Sequence, residues 1–124
     1  MKYEELYDDF KKMFPEDNDF FSKLEQETGA DKDDGMHVLF GMIVCPYLIK
    51  LAGEDSQKAQ KAFDFVEQMQ ACGDEKIANV AEVSVLEGIM TDENGGLKKF
   101  EKFLGQESLK AVEHMAKYFN IKKE

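Results

Sequence analysis

With 124 residues, 43% hydrophobic content and ten Phe spread along its length, the chain has the size of one folded domain and too much apolar surface for a disordered one. A formal net charge of −10 disfavours nucleic-acid phosphates and anionic membrane surfaces as partners and favours cationic ones. All sixteen basic residues are Lys, so the planar Arg fork that grips phosphate or carboxylate at two points is missing throughout. The charge is uneven: the first ninety-four residues hold nine Lys against twenty-two Asp and Glu, whereas the last thirty carry +3. Acids at Glu4 and Glu5 stand where a signal peptide needs an apolar core, so the cytoplasm is the expected location.

Helical periodicity runs through the chain. Tyr3, Leu6, Tyr7, Phe10, Met13 and Phe14 form one apolar stripe that ends before Pro15. Asp17 or Asn18 is positioned to cap a second helix to about Thr28, with Gly29 as its stop. From Met36 to Leu51 the sequence is apolar nearly all round, as in a helix surrounded by other helices, and Pro46 predicts a kink there or a restart of the helix with the proline in its first turn. The uncharged part, His37 to Ile49, falls short of the roughly 20 apolar residues that span a bilayer. A fourth helix starts at Asp55 or Ser56 and carries Ala59, Ala62, Phe63, Val66 and Met69. A fifth starts at Asp74 and Glu75 and carries Ile77, Val80, Ala81 and Ile89. After the loop Thr91 to Gly96, a short helix holds Leu97, Phe100, Phe103 and Leu104, and a last one holds Leu109, Val112, Met115 and Phe119. No stretch alternates long enough for a strand. The reading is all-α, residues 1–124 as one domain, with about seven helices in an up-down bundle or an array of stacked helical hairpins.

Chemical motifs are weak by comparison. The acidic turn 31–35 and the one starting at Asp92 resemble calcium loops only in composition, since their twelfth positions are Met42 and Phe103 rather than Glu. His37, His114, Cys45 and Cys72 are too scattered for a zinc site, and both cysteines are expected in apolar helical surroundings, reduced. His37 reads as a hydrogen-bonded core residue and His114 as a surface one. The chain has no Glu-x-x-His pair for a di-iron bundle and no Gly-x-Ser-x-Gly elbow. No catalytic residue, metal site or cofactor is therefore expected. On a 3.6-residue wheel, Ile77, Val80, Ala81 and Ser84 make one face of the fifth helix and Val83, Leu86 and Met90 another. Glu82 and Glu87 then fall between apolar flanks, with stems packed and heads reaching water, or else with a part in a site.

The string Gly73-Asp-Glu-Lys-Ile-Ala-Asn-Val-Ala-Glu-Val-Ser-Val-Leu-Glu87, with Ala62-Phe63-Asp64-Phe65-Val66-Glu67 one helix earlier, resembles small all-helical bacterial immunity proteins of contact-dependent inhibition and polymorphic-toxin systems. The likeness covers roughly residues 59 to 90 and includes Glu82 and Glu87. It implies a non-enzymatic protein that binds one cognate toxin domain, commonly a basic nuclease, and blocks its active site.

Charge supports that implication independently, because a nuclease cleft must be positive to attract a polyanion and its inhibitor gains from negative potential. In an up-down array Glu16, Asp17, Asp19, Glu54, Asp55, Asp92 and Glu93 fall towards one end, and Asp31, Asp33, Asp34, Asp74 and Glu75 towards the other. Helix capping explains one or two acids at each helix start but not these runs. The candidate partner-binding residues are thus Asp17, Asp19, Asp31, Asp33, Asp34, Glu54, Asp55, Asp74, Glu75, Glu82 and Glu87. The alternative is a helical adaptor or scaffold that binds protein through apolar contacts and is acidic only for solubility. A third possibility is an enzyme built on Glu82 and Glu87.

Overall fold

The computed structural model describes residues 1–91 and 96–118. Among them are seven helices and no strand, in agreement with the all-α expectation. We number them α1 (Leu6–Lys12, entered through the 3-10 turn Tyr3–Glu5), α2 (Asn18–Thr28), α3 (Met36–Glu54), α4 (Ser56–Ala71), α5 (residues 75–90), α6 (Gly96–Phe100, leading into the 3-10 turn Glu101–Phe103) and α7 (Gln106–Tyr118). Asp92, Glu93 and the tail beyond Tyr118 lie outside the described residues.

Local signals set most boundaries. Gly29 ends α2 with a left-handed φ of 70°, its N–H donating to the Glu25 carbonyl. Asp55 caps α4 by accepting the Lys58 N–H at 3.1 Å, and Asp74 caps α5 by accepting the Lys76 N–H at 2.9 Å. The 31–35 turn is closed by a reciprocal pair: Asp31 accepts the Asp33 N–H while Asp34 accepts the Asp31 N–H, each at 2.9 Å.

One apolar core runs from Leu6 to Met115. Central α3 packs on α1, α2, α4 and α5. Phe10 of α1 sits at the centre of an aromatic cluster, its ring centroid 5.4 to 6.3 Å from those of Phe14, Phe21, Phe40, Tyr47 and Phe65. A second, smaller group stacks Phe63 of α4 on Phe103 at 5.4 Å and docks the α6 region.

Two helices depart from α geometry. In α3, residues Phe40–Val44 form a π-turn in which the Cys45 N–H reaches back five residues to the Phe40 carbonyl. Pro46 follows directly. The restart is observed: after the widened turn, helical hydrogen bonding resumes from Cys45 with the proline in the first turn of that segment, where its missing N–H is tolerated. In α5, residues Val80–Leu86 are likewise π, the Glu87 N–H donating to the Glu82 carbonyl.

The π-turn corrects the helical wheel of α5. A π-turn takes more residues per revolution than an α-turn, so Leu86 and Met90, which the wheel groups with Val83, turn inward with Val80, Ala81 and Val85 and are buried, whereas Val83 faces outward and is 46% exposed. Cysteine placement is corrected too. Cys45 is buried as expected, but Cys72, one residue past the end of α4, is exposed. By length and composition α3 could cross a membrane; half of its most apolar window is buried against the other helices.

Candidate functional site

The eleven acids divide by what their carboxylates do. Asp31, Asp34, Asp55 and Asp74 cap turns and helices, and Glu54 pairs with Lys50 at 2.9 Å along α3. Asp17 does something the sequence does not announce. It stands at the N-cap of α2 without capping it, and instead accepts hydrogen bonds from the buried Tyr47 hydroxyl and from Lys58. Burial alone would raise the Asp17 carboxyl, yet the Lys58 and Tyr47 donors outweigh it and hold its pKa below the ordinary 3.8. Tyr47 is pushed up, first by its own burial and then by the facing carboxylate, so it remains a donor. This end of the fold is a tether joining α2, α3 and α4.

A matching tether lies near the other end. The Tyr7 hydroxyl donates to Glu25 at 2.6 Å, Lys11 reaches the same carboxylate oxygen at 3.0 Å, and Lys32 pairs with Asp8. Burial opposes the Glu25 charge, but the Tyr7 and Lys11 donors prevail and lower its pKa. An open cleft of about 440 Å³ is lined by Tyr7, Lys11, Glu25 and Lys32, whose charged and phenolic groups are already engaged with Glu25 and Asp8. These four side chains therefore serve the fold.

Glu67 has no counterpart in the sequence reading. From the middle of α4 it accepts the backbone N–H groups of Glu107 and Ser108, each at 2.9 Å, and so caps α7 from forty residues away. Burial pulls its pKa up, but the two backbone donors pull harder and it lies below 4.5. Local cap patterns look one to three residues ahead, so no sequence signal marks such a cap.

Asp17, Glu25 and Glu67 together predict an acid limit. Each has a folded-state pKa below its ordinary value, so each contribution is complete above that value and is lost as pH falls through the lowered one. The urea midpoint should be level from pH 7 to about pH 5 and should fall below about pH 4.5. Changing all three to the amides should flatten that fall; an equally steep fall in the amide variant contradicts the assignment.

No side-chain hydrogen bond or ion pair joins Asp19, Asp33, Glu75, Glu82 or Glu87 to another described residue. Asp19, Asp33 and Glu75 are exposed, and Glu82 and Glu87 are half-buried. Among the described residues no group of His, Cys, Asp and Glu is arranged to hold a metal ion.

The two π-turns meet where α3 and α5 pack together. His37 Nδ1 lies 2.7 Å from Ser84 Oγ, and a Cβ on Gly41 would come within 3.7 Å of the Ser84 carbonyl. Further along, a Cβ on Gly88 would come within 3.0 Å of Cys45 Sγ. Because His37 and Gly41 meet Ser84 while Cys45 meets Gly88, the helices run in the same direction. Met42 and Val83, the chain neighbours of Gly41 and Ser84, are 45% and 46% exposed. Glu82 precedes Val83, and Glu87 follows it one turn later. His37 is hydrogen-bonded as expected, though half-buried, and His114 is exposed.

The fold and these surfaces define a small all-α protein whose spare chemistry is carboxylate and exposed apolar surface. The chain belongs to the family described as Domain of unknown function (DUF7674), which it matches over residues 7–120. Neither a curated protein nor a solved structure matches it.

Proposed function

We propose that the chain is an immunity protein: it binds a cognate basic toxin domain, a nuclease above all, and neutralises it by covering the active cleft. The observation that carries this reading is the set of five carboxylates, Asp19, Asp33, Glu75, Glu82 and Glu87, that serve neither a cap nor an internal ion pair. A chain at −10 approaches a positive cleft down an electrostatic gradient, and hydrated carboxylates with no internal partner can be given up to the toxin without unravelling a helix end. Inhibition then follows from steric occlusion and needs no chemistry from the chain. The proposed setting is the cytoplasm.

The test is the association rate with the purified C-terminal domain of a toxin encoded beside this gene. Reversing Asp19, Asp33 and Glu75 to Lys should slow association about tenfold at low salt and much less at high salt. Asp17 is left intact because its reversal would break the Tyr47 tether and confuse unfolding with lost binding. A rate indifferent to both salt and reversal contradicts electrostatic capture and favours the adaptor with apolar contacts, a reading that the exposed Met42 and Val83 support.

A further inference from the structure

We propose that the face formed where α3 and α5 pack together is the docking surface itself, and that its occupant is a cationic protein segment. That segment places an apolar side chain against Met42 and Val83 and Lys or Arg side chains against Glu82 and Glu87. This inference rests on the reading of the chain as a binder of a basic protein and names the surface that does the binding.

Three observations converge on this face. First, Met42 and Val83 are large apolar side chains left nearly half exposed, and they flank one crossing point, Gly41 against Ser84. Second, each is carried by a π-turn, a wider helical turn that recurs at functional sites, and Val83 stands apart from Leu86 and Met90, which are buried. Third, the acids that flank the face are spare: Glu82 and Glu87 bracket Val83 along α5, and neither carboxylate is paired with another described residue. An apolar centre within a charged rim is the usual anatomy of a protein interface, and here the rim selects a positive partner. The outer ends of the fold differ: there Asp17, Asp31, Asp34, Asp55 and Asp74 are committed to tethers and caps.

The arrangement also assigns roles. The acids at the ends contribute long-range attraction, whereas the crossing holds the partner once it arrives. Loss of Met42 and Val83 should therefore act on dissociation, and loss of Asp19 and Glu75 on association.

The probe is a short peptide of alternating Lys and Leu, titrated into the isotopically labelled full chain while backbone amide shifts are followed. The expected result is saturable shifts concentrated in residues 37–46 and 82–91. Affinity should fall about tenfold or more when Met42 and Val83 are both changed to Ser, and a peptide with Glu in place of Lys should produce no shifts. Both positions are solvent-facing, so the double variant should fold, and a thermal midpoint within a few degrees of the parent confirms it. Shifts centred instead on residues 16–19 or 31–34, or an affinity unchanged in the double variant, overturn the proposal. With the neighbouring toxin domain, inhibition that survives the double variant undiminished removes this surface but keeps the immunity reading. Peptide binding at this face with no inhibition by the parent chain removes the immunity reading but keeps the surface.

Discussion

Replacing Phe10 with Ala should destabilise the protein by about 3–5 kcal/mol, the largest effect of any single truncation considered for this chain. Phe10 is fully buried, and its ring meets five other aromatic rings contributed by α2, α3, α4 and the segment that follows α1. No single neighbour can move into the space, because each ring is also held elsewhere: Tyr47 by Asp17, and Phe21 by its contact with Tyr47 at 4.7 Å. The cavity should persist and add to the lost transfer free energy. At about 3–5 °C per kcal/mol for a chain of this length, the thermal midpoint should drop by more than about 10 °C. A urea unfolding curve with unchanged slope and a shifted midpoint checks it. A loss below about 1 kcal/mol would show that the aromatic cluster is not the centre of the core.

The second large effect is expected at Gly105, a position with no catalytic or core role. A Cβ there would lie 2.5 to 2.8 Å from the Glu67 side chain, too close for both to stay. Glu67 is flexible enough to swing aside, but moving it removes the acceptor of two backbone N–H groups in the first turn of α7. Hydrogen bonds to a charged group are worth about 1.5–3 kcal/mol each, and partial exposure reduces that, so Gly105→Ala should cost about 2–3 kcal/mol. Glu67→Ala should cost a similar amount. In the Glu67→Ala background the Gly105 substitution should then be nearly neutral, because the clash and the cap are one interaction seen from two sides. Additive losses would mean that the clash and the cap are separate interactions.

The helices were legible because their signals are local. Apolar spacing located α1 through α5 to within a few residues, and Gly29 and Asp74 marked a stop and a start that the structure keeps. What could not be read arises from pairings distant in sequence. Asp17 satisfies every local criterion for a cap, yet a tyrosine thirty residues away and a lysine forty-one away claim it. Glu67 looks like an ordinary surface acid until α7 is folded against it. The wheel of α5 failed at Leu86 and Met90, which it set on one face with Val83, for a different reason: it assumes 3.6 residues per turn, and residues 80–86 do not have that period. Of the candidate site, the acid excess was visible in composition. The division of those acids into structural and spare ones was not, and that division narrows the eleven candidates to Asp19, Asp33, Glu75, Glu82 and Glu87.

Survival of cells expressing the toxin domain that the immunity reading pairs with this chain, with and without the chain, tests the central claim most directly. Cells carrying the parent chain should grow, and cells carrying it with Asp19, Asp33 and Glu75 reversed and Met42 and Val83 changed to Ser should not, although both chains accumulate as folded protein. Death of cells that hold abundant folded parent chain, or equal survival with the fivefold variant, would contradict the account.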